Sequence, residues 1–179
     1  VAAVLVCVGL TLPAPPAAAE FDWPATLALP DNDYALGISG GVAFGEELRG
    51  ATTGWLVGLD ASWLEGLLGI HGGLRVHREG FAHRLSGYAE VTVWYLVMIG
   101  VGTHFGAMLG NGGDDVDDTV VALHGYFGVP IPLARFDDGN YGTLVLVPYA
   151  RPGMRFVEEG KVVGYHEAGI SLRWTSFGF

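Results

Sequence analysis

Ten side chains able to carry acid, base or ion-pair chemistry recur at one phase of an alternating pattern. They are Asp60, His71, Arg75, Glu90, His104, His124, Arg151, Arg155, Glu167 and Arg173. Three carboxylates stand against four arginines in this set. Such a near balance suits a closed ion-pair network better than a conducting path lined by one sign of charge. Counting outward from the hairpin at Glu158–Lys161 places Glu167 beside Arg151 and within reach of Arg155. Across the turn at Arg78–Gly80, Glu90 falls beside His71. The first of these contacts is expected to be a salt bridge joining two strands. The rival chemistry for the same residues is a gated ion path or a proton-sensitive plug.

Strands must hold these groups, because the pattern around them has period two. In residues 34–45, Tyr34, Leu36, Ile38, Val42 and Phe44 share one face, and Ala35, Gly37, Ser39, Gly41, Ala43 and Gly45 share the other. A strand half-exposed to water would carry Lys, Glu, Thr or Gln opposite its apolar row. Gly, Ala and Ser instead suit the crowded inside of a narrow barrel, which leaves the bulky apolar row facing outward into lipid. Seven further segments repeat the pattern at about 52–63, 67–77, 82–95, 97–108, 119–129, 143–157 and 162–176. In nearly all of them the glycines, charges, histidines and tyrosines share a face. Pro148 and Pro152 fit the seventh segment poorly, since proline removes ladder donors and belongs at edges or bulges.

A single transmembrane helix over Val91–Gly113 is the competing reading, because about 20 apolar residues span a bilayer. Gly100, Gly102 and Gly106, however, keep the phase of Glu90 and Thr92, and no Lys or Arg flanks the stretch to orient a helix. Two strands joined by a tight turn near Tyr95-Leu96 are expected instead. The outer loops then fall at Gly45–Ala51, Arg78–Ala82, Leu109–Asp118 and Val157–Val162. Aromatic residues sort into two belts: Tyr34, Trp63, Tyr95, Tyr141 and Trp174 at the periplasmic ends, and Phe44, Trp55, Phe105 and Phe156 toward the outer ends.

Composition agrees with a lipid-facing surface. Only 16% of the 179 residues are charged, 29 are glycine, and Lys161 is the sole lysine. Average soluble domains carry roughly 25% charged residues and about 7% glycine. The net charge of −10 argues against nucleic acid as a partner. Residues 1–19 read as part of a signal peptide, with Ala17-Ala18-Ala19 before Glu20 matching the small-residue cleavage rule. Residues 20–33 read as a periplasmic linker and 34–179 as the barrel. Cys7, the only cysteine, lies in the signal segment that would be removed, so the mature chain would have no thiol chemistry.

The chain closes on Gly-Ile-Ser-Leu-Arg-Trp-Thr-Ser-Phe-Gly-Phe, with Phe177 and Phe179 in its last three positions. A final strand with a terminal aromatic resembles the assembly signal of bacterial outer-membrane β-barrels. With the eight alternating segments, the chain resembles the small OmpA/OmpX-type barrels. The resemblance implies an all-β fold, an antiparallel up-and-down transmembrane β-barrel in a Gram-negative outer membrane. It also implies outer-membrane lipids and lipopolysaccharide as surroundings, and the barrel-assembly machinery as a partner during biogenesis. Phe179, Phe177 and Thr175 share a parity with Arg173, opposite to Leu172 and Trp174, so a bulge near Thr175-Ser176 is one way to turn the aromatics outward.

Two other chemistries are weaker. A lipid-modifying enzyme would place a His beside a Ser or an acid near the outer leaflet. His83 and His166 fall on the outward face there, but no serine does. The acidic loop Gly110–Asp118 offers oxygen ligands but not in an EF-hand spacing, so no metal is expected. No cofactor is implied. The expectation is a side-chain-filled barrel with a structural or interaction role; a narrow pore for ions or small solutes and a lipid-modifying enzyme are the alternatives.

Overall fold

The computed structural model of the chain describes residues 33–47, 50–79, 82–108, 119–136, 142–156 and 160–176. Within them, the side chains of 45–52, 79, 82, 108, 119 and 120 are not described. Among the described residues there are nine strands: β1 Asp33–Glu47, β2 Gly50–Glu65, β3 Leu68–Glu79, β4 Ala82–Trp94, β5 Met98–Met108, β6 Thr119–Gly128, β7 Ile131–Phe136, β8 Gly142–Phe156 and β9 Val162–Thr175. Each pairs antiparallel with its neighbours, β1 also pairs with β9, and β6 closes onto β8.

β6 and β7 occupy one strand position. Val121 faces Phe156 and Gly128 faces Tyr149; after a two-residue break Ile131 faces Leu146 in the same register. The Val129 N–H bridges the break by donating to the Pro148 carbonyl at 3.0 Å. The architecture is therefore a closed antiparallel barrel of eight strand positions. The sequence reading ended this strand at 129, treating Pro130 as punctuation. The structure carries it to Phe136, with a register shift between Pro132 and Ala134. Proline is tolerated there because β5 starts at Met98, opposite Gly128, so among the described residues nothing pairs with the far edge of β7. Pro130 and Pro132 fall at alternate positions of that edge, where a missing N–H loses no ladder bond and discourages strand addition.

Two outer hairpins are also tighter than expected. β1 continues to Glu47 and β2 starts at Gly50, while β3 reaches Glu79 and β4 starts at Ala82. Glu46 and Glu47, expected in the first outer loop, thus belong to the β1–β2 ladder. The Val91–Gly113 stretch divides between β4 and β5 as far as Met108, turning at Tyr95–Val97 where Tyr95 N–H donates to the Val97 carbonyl at 3.1 Å. On the same end of the barrel, Gly66 turns β2 into β3 with φ of 60°, a conformation glycine adopts without a Cβ penalty.

Stagger sets the geometry of everything inside. From Ala35, successive register partners are Ser62, His71, Glu90, Gly102, His124, Gly153 and Tyr165, and the path returns to β1 at Gly45, ten residues along. Such tilt accompanies closure of a small barrel, whose interior is just wide enough for side chains to fill. Facing follows parity on every strand except β7, whose residues are exposed or half-buried. Outward Leu59 and Val101 are 66% and 70% exposed, whereas inward Leu56, Tyr165 and Arg155 are each 1% exposed. The outward face is apolar on every strand position, with Leu36, Trp55, Leu74, Val91, Phe105, Leu123 and Ile170 among its exposed side chains.

The sheet closes at the β1–β9 seam, where Ser176 acts as a clasp. Its N–H donates to the Tyr34 carbonyl at 2.8 Å, its Oγ accepts from the Tyr34 N–H at 2.9 Å, and the same hydroxyl donates to Asp33 Oδ1 at 2.7 Å. The inward parity of Arg173 runs unbroken to Thr175, so no bulge intervenes before that residue. Phe177 and Phe179 lie outside the described residues, as do residues 1–32 and Tyr141. Ser176→Ala is expected to lower the unfolding free energy by about 1 kcal/mol through loss of side-chain hydrogen bonds. Urea unfolding from detergent micelles measures it, and an unchanged midpoint would show that the closure is held elsewhere.

Candidate functional site in the lumen

Inward positions stack in three levels along the barrel axis. Near the end that carries Gly66 and the Tyr95–Val97 turn, Ala35, Leu64, Trp94, Met98, Val145 and Val147 form a buried apolar cluster with Tyr126 and Tyr149. The middle holds the carboxylates and most of their partners. Toward the opposite end lie Arg75, His77, Arg84, His104, Arg155 and Tyr165, all buried.

Glu90 of β4 is the hub of the middle level. His71 Nδ1 lies 2.8 Å from Glu90 Oε2, and His124 Nε2 lies 2.7 Å from Oε1. Arg151 Nε donates to Oε1, and its Nη2 reaches Oε2 at 3.4 Å. The stagger explains the histidines: His71, Glu90 and His124 lie on one pairing path, with only Gly102 between Glu90 and His124. A Cβ at Gly102 would stand 2.5 Å from Glu90 Cγ and 2.4 Å from the Ala89 carbonyl oxygen. A bare backbone at 102 is what lets the carboxylate cross to His124.

Arg151 joins this hub to Glu167. The two are direct register partners on β8 and β9, and Arg151 Nη1 lies 3.4 Å from Glu167 Oε2. Glu167 also accepts from Arg75 Nη1 and, at 2.6 Å, from the Tyr165 hydroxyl. Arg155, expected within reach of Glu167, stands over the Tyr165 ring at 4.4 Å, and the arginine that takes the near position is Arg75 from across the lumen. Register on neighbouring strands could not show this, because Arg75 reaches Glu167 through the interior.

Asp60 anchors the other side. Arg173 Nε lies 3.2 Å from its Oδ1, Ser171 Oγ donates to Oδ2 at 3.2 Å, and His71 Nε2 lies 3.6 Å away. His71 thereby connects Asp60 to Glu90. Aromatic rings fill the spaces between cations: Arg75 sits 3.9 Å and Arg151 4.5 Å from the Tyr88 ring centroid, with Tyr149 also 4.5 Å from Arg151. Such contacts between a guanidinium and a ring face gain strength when water is excluded. The His104 ring packs against Tyr165 at 4.8 Å, tilted by 57°, and lies 5.8 Å from His124.

All ten lumen residues named from the sequence thus face inward and are buried. The contacts of Asp60, His71, Arg75, Glu90, His124, Arg151, Glu167 and Arg173 join into one network, while His104 and Arg155 sit over Tyr165. Sequence reasoning placed Tyr88 and Tyr126 on the inward face but missed Arg84 and the apolar lining, chiefly Leu64, Trp94, Met98, Val145 and Val147. Parity contained the signal, since each shares the phase of its strand's polar row. On the outer surface, Tyr34 faces Trp63 and packs against the Trp174 ring at 5.6 Å, and Tyr95 sits exposed in the adjacent turn. Phe44, Trp55, Phe105 and Phe156 are exposed toward the other end of their strands. Among the described residues, no group of three or more His, Cys, Asp or Glu is arranged to hold a metal ion.

No protein-family profile and no curated protein matches the chain. A solved structure does: Neisserial surface protein A, with a TM-score of 0.56 and 14% sequence identity over 80% of this chain and 96% of that one. At that identity the likeness shows the barrel fold.

Glu90→Ala is expected to cost about 3–5 kcal/mol of stability, because it leaves Arg151 buried with half of its charge partners removed. Gly102→Ala is expected to cost about 1–3 kcal/mol by pushing Glu90 off His124. Both are read from urea unfolding in lipid vesicles. A Glu90→Ala variant as stable as the parent would remove the hub from this account.

Proposed function

We propose that the protein is an integral outer-membrane barrel whose interior is closed, serving a structural or interaction role rather than solute passage or catalysis. One observation carries the reading: an outward face apolar on every strand position encloses a lumen in which Asp60, Glu90 and Glu167 are ion-paired with Arg75, Arg151 and Arg173. Water would not accept the first feature, and a pore would not need the second. Outward strands of 10 to 16 residues exceed or meet the roughly 9–11 that a tilted strand needs to cross a bilayer. Outer-membrane lipids and lipopolysaccharide are then the solvent of this face, and the barrel-assembly machinery its partner during folding. The likeness to a Neisserial surface protein supports the same location.

The lumen supports closure at two levels. The apolar cluster of Leu64, Trp94, Met98, Val145 and Val147 presents nothing to replace an ion's hydration. Above it, Arg151 spans from Glu90 to Glu167 across the interior. The enzymatic alternative has little to build on among the described residues. His83 lies opposite Arg78 with its ring 6.5 Å from Trp55, and His166 lies between Phe44 and Pro152. Neither arrangement supplies a nucleophile or an orienting acid.

In planar bilayers the folded protein is expected to give no resolved unitary conductance. Replacing Leu64 and Trp94 together with alanine is expected to leave the bilayer silent as well, because the ion-paired level remains. Steady unitary steps from the parent protein would favour the pore reading and overturn this one.

A further inference from the structure

Seven of the eight seams between neighbouring strand positions pair without a break along their described length. The seam of β6 and β7 with β8 does not. Its partners run from Val121–Phe156 to His124–Gly153, skip two positions, resume at Phe127–Ala150, and break again before Ile131–Leu146. The cause is in β8. Val129 donating to the Pro148 carbonyl makes 129/148 a hydrogen-bonded pair, and alternation makes 125/152 another. Pro148 and Pro152 have no N–H to return, so the carbonyls of Val129 and Gly125 each lose a donor.

The wall is also thin at this point. A depression on the outer surface is floored by Gly102, Gly125, Pro152 and Gly153, with Glu90 and His124 directly behind. On the lumen side, the missing backbone bonds are replaced by one side chain. Glu90 holds His124 of β6 at 2.7 Å and Arg151 of β8 through Nε and Nη2, so a single carboxylate grips both edges of the broken seam.

From this geometry we propose that the β6–β8 seam is where the barrel opens laterally, and that Glu90 is the latch that keeps it shut. Opening there connects the outer-surface depression to the polar interior beside His124. The device does not depend on whether the lumen conducts along its axis. Asp60 supplies a natural control: it is a buried lumen carboxylate too, but its partners Arg173 and Ser171 lie on β9 and His71 on β3, so it grips neither edge of the seam.

Hydrogen–deuterium exchange of the full chain folded in detergent micelles tests the proposal. In the parent, the amides of Phe127, Val129, Ala150 and Met154 should exchange faster than those of the β1–β2 seam. Glu90→Gln should speed them by about tenfold, the factor expected when a charged hydrogen bond is lost, and leave the β1–β2 seam unchanged. Asp60→Asn should show no such selectivity. Pro152→Ala, which restores a donor toward Gly125, should slow exchange in the seam, and this variant decides the matter alone if Glu90→Gln does not fold. Equal exchange in all seams of the parent, equal acceleration of every seam by both carboxylate variants, or no slowing in Pro152→Ala would each overturn the proposal.

Discussion

Closure of eight strand positions around a ten-residue stagger leaves a lumen that only side chains can fill, and this confinement governs the rest of the structure. Asp60, Glu90 and Glu167 are withdrawn from water, and each is met by cations that are also inside. An unpaired buried ion would cost several kcal/mol. Three carboxylates consequently serve more than three cations by sharing. Glu90 takes two histidines and one arginine, and Glu167 takes two arginines and a tyrosine hydroxyl.

Small residues make that sharing possible. A charged side chain can cross the lumen only where its neighbour on the next strand projects nothing into its way. Gly102 between Glu90 and His124 is the clearest case, and Gly37 between Asp60 and Arg173 is another, since an added Cβ would stand 2.6 Å from one and 2.7 Å from the other. The glycine richness of the chain is therefore coupled to its charge network rather than to flexibility. Proline has a comparable division of labour. At Pro130 and Pro132 it protects a free edge, while at Pro148 and Pro152 it removes donors from a closed seam and shifts the work of holding that seam onto Glu90.

Much of this was legible in the chain before any coordinates. Alternation assigned the facing of all ten lumen residues, and local hairpin counting placed Glu167 beside Arg151 and Glu90 beside His71. Both of those pairs lie on strands joined by a short connection, so their register follows from the turn between them. The extension of β6 through Pro130 was not legible, because proline usually ends a strand and only the absence of a partner on its far edge makes it harmless here. The apolar level was overlooked for a related reason. Leu64, Trp94 and Met98 share the phase of polar neighbours, yet the inward rows were read from their small and polar side chains alone.

The amino-acid order by itself determined which residues look in and which look out, because a strand's side chains alternate whatever the strand pairs with. It also determined the chemical character of each face. Which charge meets which across the interior was decided only by the tertiary structure. Arg75 finds Glu167 and Arg151 finds Glu90 through the stagger of the closed sheet, a property of all eight strand positions together. No local window of sequence contains that quantity, since shifting any one seam by two residues would keep every facing and change every partner.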